Sequence, residues 1–130
     1  HQMKEMKILA KSLKADRLVF KSAQLYDFEK GNDLLTSIEK YSRYKKINEG
    51  SYKVKSALPN HCSRLWSAAV ISSKGDLIPC CYDKDGTHSF GNLADRSFGS
   101  VWHSSKANEF RMSVLSNRKQ HEMCRNCTGK

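Results

Sequence analysis

At 130 residues the chain has room for one ordinary domain, or a compact domain with part of another. Its composition is 38% hydrophobic and 28% charged, and no apolar run approaches the roughly 20 residues a spanning helix needs, so a membrane is excluded as a partner. The net charge of +10 is dispersed, with thirteen basic and seven acidic residues in 1–60 and ten and six in 61–130, which reads as a solvated surface and makes nucleic acid an unexpected partner.

The chain opens His1-Gln2-Met3-Lys4-Glu5-Met6, alternating charge and apolarity unlike a secretory signal. Met3, Met6, Leu9, Ala10 and Leu13 fall at helical spacing with lysines opposite, predicting an amphipathic helix over 3–14 whose apolar stripe seeks a partner. A β-prone run at 16–21 follows, and helix, turn and buried strand in that order suit a piece of an α/β repeat. Leu25, Phe28, Leu34, Leu35 and Ile38 predict one or two short helices broken at Gly31-Asn32, and the polar stretch 45–57 reads as a connector before Pro59. Runs at 66–71 and 76–80 flank Ser72-Ser73-Lys74-Gly75, a hairpin signal with Gly75 supplying positive φ. Two helices are then expected: one capped by Ser97 and carrying Phe98, Val101 and Trp102, the next capped at Ser104 or Ser105 and ending near Asn117. A loop delivers the C-terminal cysteines. Trp66, Phe98, Trp102 and Phe110 are expected in the core, and Asp83 and Asp85 in a turn.

The five cysteines carry the chemistry. Cys62 and Cys80 bracket a C-x12-G-x4-C pattern, Cys81 adjoins Cys80, and Cys124-x2-Cys127 lies near the C-terminus. An odd count suits a disulfide framework poorly and points to a reducing cytoplasm with thiolate-bound metal. Two separated thiol pairs fold into one tetrahedral cage, as either a cuboidal iron–sulfur cluster or a zinc ion requires. The negative charge of such thiolates has Arg64, Arg125 and Lys130 as neighbours in sequence to offset it. In a regular strand Cys80 and Cys81 point to opposite faces, so only one of them easily joins the cage and the other reads as a small, buried hydrophobe.

Cys62-x3-Trp66, the Gly75-x4-Cys80 step with Pro79-Cys80-Cys81, Gly91-Asn92-Leu93, Phe98-x3-Trp102, Phe110-Arg111 and Cys124-x2-Cys127 together resemble the SPASM/twitch family over roughly 58–130. These are the C-terminal auxiliary-cluster domains of radical S-adenosylmethionine enzymes. The resemblance implies an α+β fold: a β-hairpin with following helices around a four-cysteine site, preceded in 1–44 by a helix–strand remnant of a partial β/α barrel, with 45–57 between. It implies one [4Fe–4S] cluster on Cys62, Cys80, Cys124 and Cys127, as in the smaller twitch variant. Complete thiolate ligation leaves no open iron, so electron transfer or substrate positioning follows more naturally than direct substrate activation.

The family's C-x3-C-x2-C loop for the catalytic cluster and S-adenosylmethionine is absent from these residues, so the chain is expected to be non-catalytic alone. Its expected partner is a barrel core belonging to the same parent, which in this family modifies peptides, proteins or small molecules. The rival is a four-cysteine zinc-stabilised module binding nucleic acid or protein. Zinc is also an expected substitute for a degraded cluster; His61 and His121 are available as stand-in ligands, but each reads first as a surface residue or a neighbour of the ligands.

Overall fold

The computed structural model describes residues 2–128. Helix α1, Gln2–Ser12, forms where the periodicity places it. It contains neither Gly nor Pro, yet none of its residues is buried, and Met6, Ile8, Leu9 and the following Leu13 stay exposed. The 16–21 run forms no strand, with Val19 and Phe20 about half exposed. Strand propensity depends on a neighbouring strand and a face to cover, and this run pairs with neither of the two sheets.

Residues 22–43 hold turns and one 3₁₀ segment, Glu39–Tyr41, in place of the expected short helices. Gly31 sits at φ +73°, and a Cβ there would collide with the Tyr52 ring, so the predicted break is where a side chain has no space. The stretch read as a connector is an antiparallel hairpin: β1, Tyr44–Asn48, pairs with β2, Ser51–Val54, across Glu49-Gly50. Only Tyr44 and Val54 of this ribbon are buried, and with Phe28 they form a small satellite core. Phe28 stacks on Tyr44 with ring centroids 5.2 Å apart.

The second half begins with a single helical turn, α2, Arg64–Ser67, so the strand expected from Trp66 starts only at β3, Val70–Ile71. β3 pairs with β4, Asp76–Ile78, through Val70↔Ile78 and Ile71↔Leu77. Gly75 takes φ +85° in the turn, as anticipated. A third strand, β5, Gly91–Asn92, pairs antiparallel with β4 and makes β4 central. β4 stops before Pro79, which has no N–H to continue a ladder.

Helix α3, Phe98–Trp102, starts where the Ser97 hydroxyl accepts the Ser100 N–H, and α4, Ser105–Asn117, where the Ser104 hydroxyl accepts the Ala107 N–H. Each such cap stabilises by about 1 kcal/mol. Leu65, Leu77, Phe90, Val101, Ala107, Phe110, Val114 and Cys124 make one core between sheet and helices. Full burial of a branched aliphatic such as Leu77 or Val101 stabilises by about 1.5–3 kcal/mol. Phe110 belongs to that core and Trp102 packs against it, but Trp66 and Phe98 are each 46% exposed, contrary to expectation. Helix segments and small antiparallel sheets occupy separate stretches, which is an α+β arrangement. No helix among the described residues is long and apolar enough to cross a membrane.

Candidate metal centre

Cys62 lies in the extended entry to α2, its carbonyl accepting the Leu65 N–H at 3.2 Å, and it packs against the core. Cys80 follows Pro79 in a turn whose carbonyl accepts the Asp83 N–H at 3.0 Å. Because β4 has already ended, strand alternation does not separate Cys80 from Cys81. The turn does so, leaving Cys80 half-buried and Cys81 exposed. Cys81 is therefore not the buried hydrophobe expected of it. The 82–88 loop is held by Asp83, which is buried and accepts the N–H groups of Thr87 and His88, each at 2.9 Å. This is the predicted carboxylate turn.

The terminal cysteines come from ordered structure where a loop was expected. A 3₁₀ turn, Arg118–Gln120, leads into the one-turn helix α5, Glu122–Arg125, which carries the buried Cys124. The Cys127 N–H donates to the Cys124 carbonyl at 3.2 Å. Between them Asn126 is buried: its Oδ1 accepts the Tyr44 hydroxyl at 2.8 Å and its Nδ2 donates to the Leu25 carbonyl. The N-terminal hairpin thus ties directly to the cysteine pair, a link that sequence spacing gave no means of seeing.

All five cysteines are thiols. Burial pushes the Cys124 thiol up to about 11, the nearby Arg118 guanidinium pulls it down, and Cys80, Cys127 and Cys62 raise it further. Cys124 therefore lies within electrostatic reach of all three other predicted ligands. Burial likewise raises Cys80, with Cys81 and Cys127 adding to the effect, while N–H groups of Tyr82 and Asp83 donate to its sulfur and lower it. Burial raises the Tyr82 hydroxyl too, and Cys127 adds to this, whereas Arg43, which hydrogen-bonds that hydroxyl, acts the other way. As the chain stands, no group of three His, Cys, Asp or Glu among the described residues is arranged to hold a single metal ion.

The donor chemistry suits a thiolate-bound, anionic group: cysteine sulfurs are soft donors, and Arg43 and Arg118 hold buried N–H groups without partners. Burial favours the neutral thiol at both Cys80 and Cys124, so a metal held by either would displace a proton. Of the cations expected to offset the thiolates, Arg64 and Arg125 are exposed and Lys130 lies outside the described residues. Arg118, only 2% exposed, takes that position instead.

His61 is exposed, and the His121 ring lies tilted against Phe110, centroids 4.5 Å apart, with Nε2 2.7 Å from the Ser113 hydroxyl. A cavity of about 360 Å³ opens beside α5, between residues 24–29 and the 82–88 loop.

A family model for the SPASM iron–sulfur cluster-binding domain matches residues 62–128, just over half of the chain. The chain belongs to the SPASM family. Its match begins at Cys62 and takes in every cysteine of the molecule. The S-adenosyl-L-methionine-dependent 2-deoxy-scyllo-inosamine dehydrogenase of Niallia circulans is similar, 30% identical over 60 residues. That alignment covers 45% of this chain and 24% of the relative, so the chain spans about a quarter of the relative's length. No solved structure matches. As an iron–sulfur cluster-binding domain, the SPASM region gives these cysteines their chemical context.

Proposed function

We propose that the SPASM domain holds one [4Fe–4S] cluster on Cys62, Cys80, Cys124 and Cys127, and that it serves as the auxiliary-cluster domain of a radical S-adenosylmethionine enzyme. The observation that carries this reading is the SPASM cluster-binding match over residues 62–128, which spans all four of these cysteines, although they come from three separate parts of the chain. When bound, such a cluster supplies one-electron transfer. The chain's own residues do the rest. The core under α4 and β4 fixes the arms that carry the cysteines, the Tyr82 and Asp83 amides orient the Cys80 sulfur, and Asn126 anchors the terminal pair.

The domain's role in this reading is to pass electrons to or from a catalytic centre, to position a substrate beside it, or both. The cavity between residues 24–29, the 82–88 loop and α5 supports positioning, because it borders the residues flanking Cys124. Residues 1–44 are read as the closing piece of the parent's β/α barrel, with 45–57 joining it to the domain at 58–130. The exposed apolar stripe of α1 supports that reading, since it fits a helix whose partner lies in such a barrel. The substrate is a peptide, protein or small molecule, and S-adenosylmethionine belongs to the parent's catalytic centre. Anaerobic protein supplied with iron and sulfide is expected to bind about four irons per chain with brown cubane absorption. Stoichiometric zinc uptake with no iron under those conditions would replace this reading with the zinc-stabilised module.

A further inference from the structure

Arg43, Arg111 and Arg118 each hold buried nitrogen atoms with no hydrogen-bond partner. The ion pairs found among the described residues, Lys30–Asp27 and Lys55–Glu39, involve none of them. Burying a guanidinium without an anion costs several kcal/mol, so each needs an account. Arg111 has one: it donates to the carbonyls of Leu65 and Trp102 and to Asn108 Oδ1, and its guanidinium lies 4.4 Å from the Trp102 ring centroid.

The other two lie in segments that contact the cysteine-bearing arms. Arg118 donates through Nη1 to the His61 carbonyl at 3.1 Å, beside Cys62, and lies close to Cys124, while its Nε–H has no partner. Arg43 meets the Tyr82 hydroxyl near Cys81 and Cys127, and its Nε and Nη1 are unpartnered. Its neighbour Tyr44 bonds Asn126, one residue before Cys127.

We infer that Arg118 and Arg43 are the built-in counter-cations of the thiolate site, one on the Cys62–Cys124 arm and one on the Cys127 arm, and that they set the reduction potential of the group held there. This rests on the cluster reading. Four thiolates around a cubane core carry net negative charge that grows on reduction, and N–H donors and cations near the sulfurs favour the reduced form. The low dielectric of a buried site strengthens both effects. Charge that would be costly in the empty domain becomes matched when the anionic group is present. Both arginines act through the cluster and are positioning residues.

The test compares the full chain, reconstituted with iron and sulfide, with Arg43→Gln, Arg43→Lys, Arg118→Gln, Arg118→Lys and the exposed control Arg64→Gln. Iron and sulfide are counted, and the potential is read by redox titration under electron paramagnetic resonance. Arg43→Gln should keep its iron while its reduction equilibrium falls about tenfold, a shift of about 59 mV to more negative potential. Arg43→Lys should lie closer to the parent, and Arg64→Gln should not move. Arg118→Gln should lose iron that Arg118→Lys retains. If Arg118→Gln fails to fold, the Arg43 pair decides alone. Full iron with an unchanged potential in Arg43→Gln would overturn the arginine inference and leave the cluster reading intact. A parent chain that takes up no iron would sink the cluster reading and this inference with it.

Discussion

The two ends of this chain use apolar residues in opposite ways. In α1 a regular stripe of Met, Ile and Leu is exposed and buries nothing, whereas the far less regular segment 62–128 closes a core around Leu77, Val101 and Val114. The contrast teaches that amphipathic periodicity records a surface a helix is made to cover, without saying that the surface lies in the same stretch of chain. Between these extremes, β1 and β2 form an intermediate region, with a small core of their own and one buried polar link to the cysteine pair.

That contrast breaks most visibly at the C-terminal core. Leu77 is fully buried on the central strand, so Leu77→Ala should destabilise the domain by about 2–4 kcal/mol, measured as a fall in the urea midpoint at constant slope. A loss below about 1 kcal/mol would mean this core contributes less than its burial implies.

A smaller effect tests the link between the regions. Tyr44→Phe removes the hydroxyl that donates to Asn126 Oδ1 and accepts the Leu25 N–H, leaving buried polar groups unpaired at a cost of about 1–3 kcal/mol. Amide exchange around Cys124 and Cys127 should quicken in this variant. Unchanged protection there would show that the hairpin and the cysteine pair are energetically independent.

The least change is expected at α1. Removing residues 2–12 should alter the stability of the rest by no more than about 0.5 kcal/mol, because the helix buries nothing against it. A larger loss in denaturant titration would contradict the view that its partner lies elsewhere.

What could be read from residues alone follows the same division. The helix at α1, the Ser97 and Ser104 caps, the Gly75 turn and the Asp83 turn were all legible, because each depends on residues a few positions apart. β1 and β2 were hidden: their strands are mostly exposed and lysine-rich, and their pairing gives no apolar alternation to detect. The Glu49-Gly50 turn was the available signal. Run 16–21 misled in the opposite direction, since β propensity without a neighbouring strand builds nothing. At the site, the cysteine spacing was legible as a motif. The buried Arg118 and the Asn126 anchor depend on contacts between residues 57 and 82 positions apart, which no local pattern encodes.

The ligand set is tested most directly at the adjacent cysteines, where burial separates Cys80 from the exposed Cys81. Cys80→Ser and Cys81→Ala are prepared side by side, reconstituted anaerobically, and analysed for iron and sulfide. The account predicts that Cys80→Ser loses most of its iron while Cys81→Ala matches the parent. Iron retained in Cys80→Ser and lost from Cys81→Ala would contradict it.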